Sequence, residues 1–201
     1  EQMASILVAA FGHMPSAWKE IEAARAEVEA CVADPEREAW TAVDEGGEVL
    51  GWIGAIRQSS HAWELHPLAI APAHQGRGHG ARLVRQLESE ARAAGVVTVW
   101  LGTDDDFGGT TLFGVNLYPD VLETPARIAP EPDSPYRHPY EFYRRAGYSV
   151  VGVLPDADGS HRLRAYHPRL RQVLHLLHRA LSPGPRDQQA NGRDRPGSRT
   201  P

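Results

Sequence analysis

Apolar positions recur at helical spacing first and at strand spacing afterwards. "MASILVAAF" and "AWKEIEAARAEVEACVAD" read as two helices joined across Gly12 to Ser16, the second with Trp18, Ile21, Val28 and Val32 on one side. "AWTAVDEGGEVLGWIGAI" is a hairpin, two apolar runs around Asp44-Glu45-Gly46-Gly47. A strand from Trp63 to Ile70 follows, then a glycine loop, then a helix over 81–94 in which Leu83, Val84, Leu87 and Ala91 recur before Gly95. "VVTVWLGT" is continuous and β-branched, which predicts a strand buried on both faces. Residues 104–138 form a loop-rich insert with room for one short helix after Pro119. A helix from Pro139 to Ala146, a glycine stop and one more strand complete the regular part. Beyond Gly159 the text changes. "RLRQVLHLLHRALSPG" puts Leu170, Val173, Leu174, Leu177 and Leu181 on one face of an amphipathic helix.

Composition adds three limits. At 201 residues with 41% apolar and 23% charged, the chain can bury one ordinary core. No run nears the roughly 18 apolar residues of a membrane span, and the start lacks the basic region of a signal peptide. Cys31 has no second cysteine, so no disulfide framework or cysteine zinc site forms within the chain, and it reads as buried apolar filler. A cytoplasmic address is the expectation.

Charge divides the chain. Residues 161–201 hold nine Arg against two Asp, a net +7, whereas 1–160 hold 12 Lys and Arg against 24 Asp and Glu, a net −12. A body that acidic favours cationic ligands and disfavours nucleic acid. Residues 182–201, rich in Pro, Gly, Arg and Gln, predict disorder. The expected division is therefore a domain over 1–160, an atypical Arg- and His-rich segment over 161–181, and a tail. His175 and His178 stand three apart with no third ligand nearby, so no metal site is expected there.

The junction "LAIAPAHQGRGHGARLVRQL" raises the chemical question, because three glycines exceed what a turn needs and each costs backbone entropy. A strand, a glycine loop and a helix N-terminus together suit an anion approaching bare backbone. Gly80-Ala81-Arg82 fails the Walker requirement for Gly-Lys-Ser/Thr. Gly76, Gly78 and Ala81 fit a Rossmann spacing, but no acidic residue stands about twenty positions on in the right element. The pattern Q/R-x-x-G-x-G/A also fits, across Gln75-Gly76-Arg77-Gly78-His79-Gly80. Together with "WELHPL", "LGTDD", "LYPDVL" and "HPYEFYRRAGYSVVGVLPDADG", in that order, it resembles the aminoglycoside 6'-N-acetyltransferases of the GNAT superfamily from about Trp40 to Gly159.

That resemblance implies an α+β fold, a mixed central sheet flanked by helices, with acetyl-CoA as acetyl donor, a polycationic amine as acceptor and no metal. It implies a cofactor contact along Ala69, Ile70 and Gln75, and at the loop Gly76, Arg77, Gly78, His79, Gly80 and Ala81. A homodimer stays open. Pro67 lacks an N–H, so a bulge is expected near it, leaving the Leu68 N–H to face the thioester oxygen. Glu64 and His66, two apart, emerge on one strand face and could take the amine proton, or Glu64 could bind the ammonium. Asp104, Asp105 and Asp106 end the buried strand and are candidate ammonium ligands, with Asp120, Glu123 and Glu141 weaker ones. Tyr143 stands where the family keeps a tyrosine facing the cofactor sulfur.

Two departures from the family are expected. The chain opens within what should be the first helix, without the strand before it. After "PDADG" the family's last strand is missing, and the switch to an Arg-rich text reads as a replaced terminus, costing sheet pairing and part of the substrate wall.

Overall fold

The computed structural model describes residues 1–14, 17–115, 117, 123–155 and 173–181. Helices α1 (Gln2–Phe11) and α2 (Ile21–Ala33) bury Ala4, Ile6, Leu7, Ala24 and Cys31 against Trp52 and Ala69 of the sheet. Strands β1 (Arg37–Val43) and β2 (Val49–Arg57) form the hairpin expected. Its turn closes because Asp44 Oδ1 accepts the amides of Gly46 and Glu48, and Gly47 takes φ +83°.

Strand β3 (Ala62–Ile70) pairs antiparallel with β2, and helix α3 (His79–Ala93) then crosses to β4 (Thr98–Asp104), which lies parallel to β3. Leu83, Val84, Leu87 and Ala91 of α3 pack on Ile53, Ala55, Val99 and Leu101. Helix α4 (Tyr140–Arg145) and strand β5 (Ser149–Pro155) follow an insert that holds one short 3-10 turn at Thr124–Arg127. Strand β6 (Val173–Ala180) completes a mixed six-stranded sheet in the order β1-β2-β3-β4-β6-β5. No helix among the described residues is long and apolar enough to cross a membrane.

Two expectations give way. The amphipathic helix over 170–181 is replaced, from Val173 to Ala180, by β6, which pairs along β4 from Asp104↔Leu174 to Thr98↔Ala180 and along β5 on its other edge. The apolar spacing serves either period, and the slot between β4 and β5 decides it, since a helix there would orphan two strand edges of buried backbone. The sheet pairing expected to be lost is thus present. The second concerns β4, whose residues alternate: Val99 and Leu101 are buried while Trp100 is half-buried and Gly102 exposed. Helix α1 packs on β2 and β3, leaving that face of β4 more open. Asp120, residues 156–172 and the tail 182–201 lie outside the described residues.

Candidate functional site

The site begins with a bulge. Between Ile53↔Leu68 and Ala55↔Leu65, three steps of β3 oppose two of β2, so the extra residue falls within His66-Pro67, whose peptide is cis. Gly54 faces it, and a Cβ there would stand 2.4 Å from the His66 carbonyl oxygen. The bulge inverts the pleat. Trp63 and Leu65 before it, and Leu68 and Ile70 after it, all face the α3 cluster, while Ala69 joins the α1–α2 cluster.

Beyond Glu64↔Trp100 the β3–β4 ladder stops and the strands part. The gap is a cavity of about 1310 Å³ lined by elements from both faces of the sheet. One end is walled by the glycine loop, α3 and α4; the other is walled by Phe11 and Trp18 near the α1–α2 corner and by Asp104.

The loop is built to leave backbone bare. Gln75 turns back and donates Nε2–H to the Ile70 carbonyl at 3.1 Å, closing it onto the end of β3. Gly76 and Gly78 take φ +72° and +86°, with open space around both among the described residues. Gly78 immediately precedes α3, so the amides of the first turn point outward without helical acceptors. Gly80 lies beside α4, where a Cβ would make ordinary contact with Phe142 Cζ at 3.4 Å. A bare cradle at the N-terminus of a 15-residue helix fits a diphosphate.

Most of the residues singled out in the sequence reach this cavity. His66, Leu68, Ile70, Gln75, Gly76, Gly78, His79, Gly80 and Ala81 lie on its wall, as do Asp104 and Tyr143. Arg77 is exposed on the loop, and the Ala69 side chain packs on the α1–α2 side. Burial pushes the Tyr143 phenol well above its ordinary pKa, so it stays protonated and able to donate.

Others do not reach it. The Glu64 side chain is not on the cavity wall; it accepts the Gln58 amide at 2.8 Å. Asp105 is fully buried, and its oxygens accept Gly109 N, Thr110 N and Thr110 Oγ1 at 2.7–2.8 Å, so it staples its own loop instead of meeting a ligand. Asp106 is buried away from the wall. Glu141, half-buried, is not on the wall and stands 4.0 Å from Arg145, and Glu123 pairs with Arg127.

Some neighbours of the wall residues are brought in by tertiary contact alone. Trp18 places its ring 5.8 Å from that of His66, and Glu27 Oε1 lies 3.8 Å from His66 Nε2 while pairing with Arg37 at 2.8 Å. His138 holds the end of β4: its Nε2 donates to the Asp104 carbonyl at 3.0 Å, and its Nδ1 accepts the Tyr140 amide at 3.1 Å. Burial lowers the pKa of that imidazole, against a smaller raising by Asp105 and the Asp104 carbonyl. Among the described residues, no cluster could hold a metal ion.

Comparison with known proteins agrees with this geometry. Residues 2–110 match the acetyltransferase (GNAT) family. The crystal structure of an aminoglycoside 6'-N-acetyltransferase complexed with coenzyme A is 34% identical over 92% of this chain and 91% of its own, with a TM-score of 0.75. The aminoglycoside 6'-N-acetyltransferase from Enterococcus faecium shares the same identity and coverage at a TM-score of 0.73. The N-alpha-acetyltransferase RimI of Mycobacterium tuberculosis (strain ATCC 25618 / H37Rv) is 41% identical over 64 residues, 30% of this chain and 40% of that protein. The chain thus spans well under half the length of that curated relative. The splayed strands, the bare loop between β3 and α3, and an extended match across that half of the chain place this protein in the GNAT family of acetyltransferases.

Proposed function

We propose that the chain transfers acetyl from acetyl-CoA to the 6'-amine of aminoglycosides by direct attack, both substrates being bound at once. The observation that carries the reading is the cavity itself: the glycine-loop cradle, His66 and Asp104 all line one space. Two solved aminoglycoside 6'-N-acetyltransferases that match over nine-tenths of the chain supply the acceptor class. The −12 charge of residues 1–160 suits a polycation.

When bound, acetyl-CoA supplies an activated acyl group; the rest falls to the protein. The loop amides from Arg77 to Ala81 and the α3 dipole hold the diphosphate, and positioning of this kind contributes several kcal/mol. The Leu68 N–H, next to the bulge, donates to the thioester oxygen, a one-donor site worth about 3 kcal/mol. His66 takes the proton that the ammonium must lose before attack, with Glu27 beside it, while Glu64 adds charge from the same strand face. Asp104 binds a second ammonium, and Tyr143 donates to the departing sulfur.

The RimI match favours a second reading, in which the acceptor is the α-amine of a peptide. Free thiol released from acetyl-CoA in the presence of kanamycin, spermidine or a short peptide separates them. Release with kanamycin at a kcat/KM well above that of the other two is expected. Preference for the peptide would overturn the aminoglycoside assignment.

A further inference from the structure

On the border of the cavity, behind Tyr143, lies a charge cluster around a buried carboxylate. Glu88 on α3 is 2% exposed. Arg179 of β6 reaches its Oε1 at 2.9 Å, and Arg92 its Oε2 at 3.3 Å. Arg179 Nη1 also donates to the carbonyl oxygen of Ala146, which closes the C-terminal end of α4. Its guanidinium lies 5.9 Å from the centre of the Tyr148 ring, and that ring stands 5.7 Å from the ring of Tyr143. Gly147 makes room for the contact: it takes φ +93°, and a Cβ there would stand 3.1 Å from Arg179 Nη1.

An ion pair that buries a carboxylate is seldom the most stabilising choice, since an apolar pair of similar volume holds a core as well or better. What it adds is geometry. Here one guanidinium nitrogen, Nη1, meets two partners at once: it stands 2.9 Å from a carboxylate on one helix, an ion pair, and donates to a helix-terminal carbonyl on another. Glu88 sits on the helix that opens with the glycine loop, and Ala146 ends the helix that carries Tyr143 three residues earlier. Residues Glu88, Arg179, Ala146 and Tyr143 all border the cavity.

We propose that Arg179 is a positioning residue: from β6 it ties the end of α4 to α3, and thereby sets the Tyr143 phenol at a fixed distance from the loop that anchors the donor. The inference rests on the acetyl-transfer reading for its kinetic arm and on structure alone for its second arm. In R179K the ammonium keeps the charge but ends one bond closer to the backbone than Nη1, and so cannot reach both partners.

The kinetic arm compares kcat, KM for acetyl-CoA and the dissociation constant of coenzyme A in the wild type, R179K, Y143F and the double variant. R179K should lower kcat by about tenfold to a hundredfold, as a displacement on the ångström scale does, with coenzyme A binding unchanged. The double variant should be no slower than Y143F, because the two residues act as one unit. Multiplying losses, or weakened coenzyme A binding that makes Arg179 a direct ligand, would overturn the proposal. The second arm needs no turnover. Amide hydrogen exchange should quicken across 140–147 in R179K and stay unchanged in α3, and unchanged exchange in α4 refutes the tie. E88Q keeps the shape, removes the carboxylate charge and should shift both readouts in the same direction, so it serves if R179K does not fold. A wild-type chain that acetylates no amine fails the functional reading, and hydrogen exchange then decides the tie on its own.

Discussion

Gly54→Ala tests whether the bulge in β3 exists for function. The methyl carbon would arrive 2.4 Å from the His66 carbonyl oxygen and 3.4 Å from Pro67 Cδ, the first far inside contact distance and against backbone that cannot swing aside. Relief requires β3 to move away from β2 or the bulge to migrate. Overpacking of this kind costs about 1–3 kcal/mol, and in a chain of this size each kcal/mol lowers Tm by roughly 2–4 °C, so a fall of about 2–12 °C is expected by circular dichroism. Leu68 lies immediately after the bulge, so its N–H moves with the strand. A displacement near 1 Å costs on the order of a hundredfold in turnover. Gly47→Ala is the matched control: φ is +83° with open space around it among the described residues, and its conformational cost is about 1–2 kcal/mol in a hairpin far from the cavity. Thiol release at a temperature where both variants are folded should show a steep kcat loss for Gly54→Ala and none for Gly47→Ala. Equal turnover in the two would refute the assignment of the bulge to catalysis.

Three further outcomes follow. Asp104→Asn should raise KM for the aminoglycoside by several-fold at most, as for one partly exposed ion pair, and leave KM for acetyl-CoA alone; Asp105→Asn should instead cost about 1–3 kcal/mol of stability, because one carboxamide cannot accept all three loop hydrogen bonds. Leu177→Ala should cost about 2–5 kcal/mol in a denaturant titration, since the side chain is fully buried in the main core; a cost below about 0.5 kcal/mol would mean a surface position and sink β6 as an internal strand. His138 gives a pH dependence whose sign is fixed: burial lowers its folded pKa below the usual 6.5, so the unfolded chain binds a proton first as pH falls, and stability drops as pH goes below about 6.5. Protonating Nδ1 would also end its bond from the Tyr140 amide. The slope of Tm between pH 7.5 and 5.5 should flatten in His138→Gln, and an unchanged slope would assign the titration elsewhere.

Much of the fold was legible because local patterns agreed with tertiary need. The hairpin around Asp44–Gly47, the glycine loop before α3, and the bulge implied by Pro67 all rest on backbone chemistry that neighbouring residues settle among themselves. The candidate site was legible to the same depth at the proposed donor end, where bare main chain lines the cavity. On the acceptor side it was not. Asp104 and Asp105 are adjacent and chemically identical, yet alternate residues of an extended segment face opposite ways, so one borders the cavity and the other staples a loop. Glu64 and His66 share a strand face, but Gln58 holds the first aside and Trp18 and Glu27 frame the second.

By itself, the sequence determined where the backbone is bare, where it must bulge and which residues could carry a proton, because conformational freedom and side-chain chemistry are local properties. Only the tertiary structure decided that 173–180 is a strand, since its apolar residues satisfy either period and the open edges of β4 and β5 supply the missing hydrogen-bond partners. It also brought Glu88 and Arg179, 91 positions apart, into one ion pair across two layers of the fold, a contact with no trace in local spacing because the chain meets itself there only once the sheet is closed.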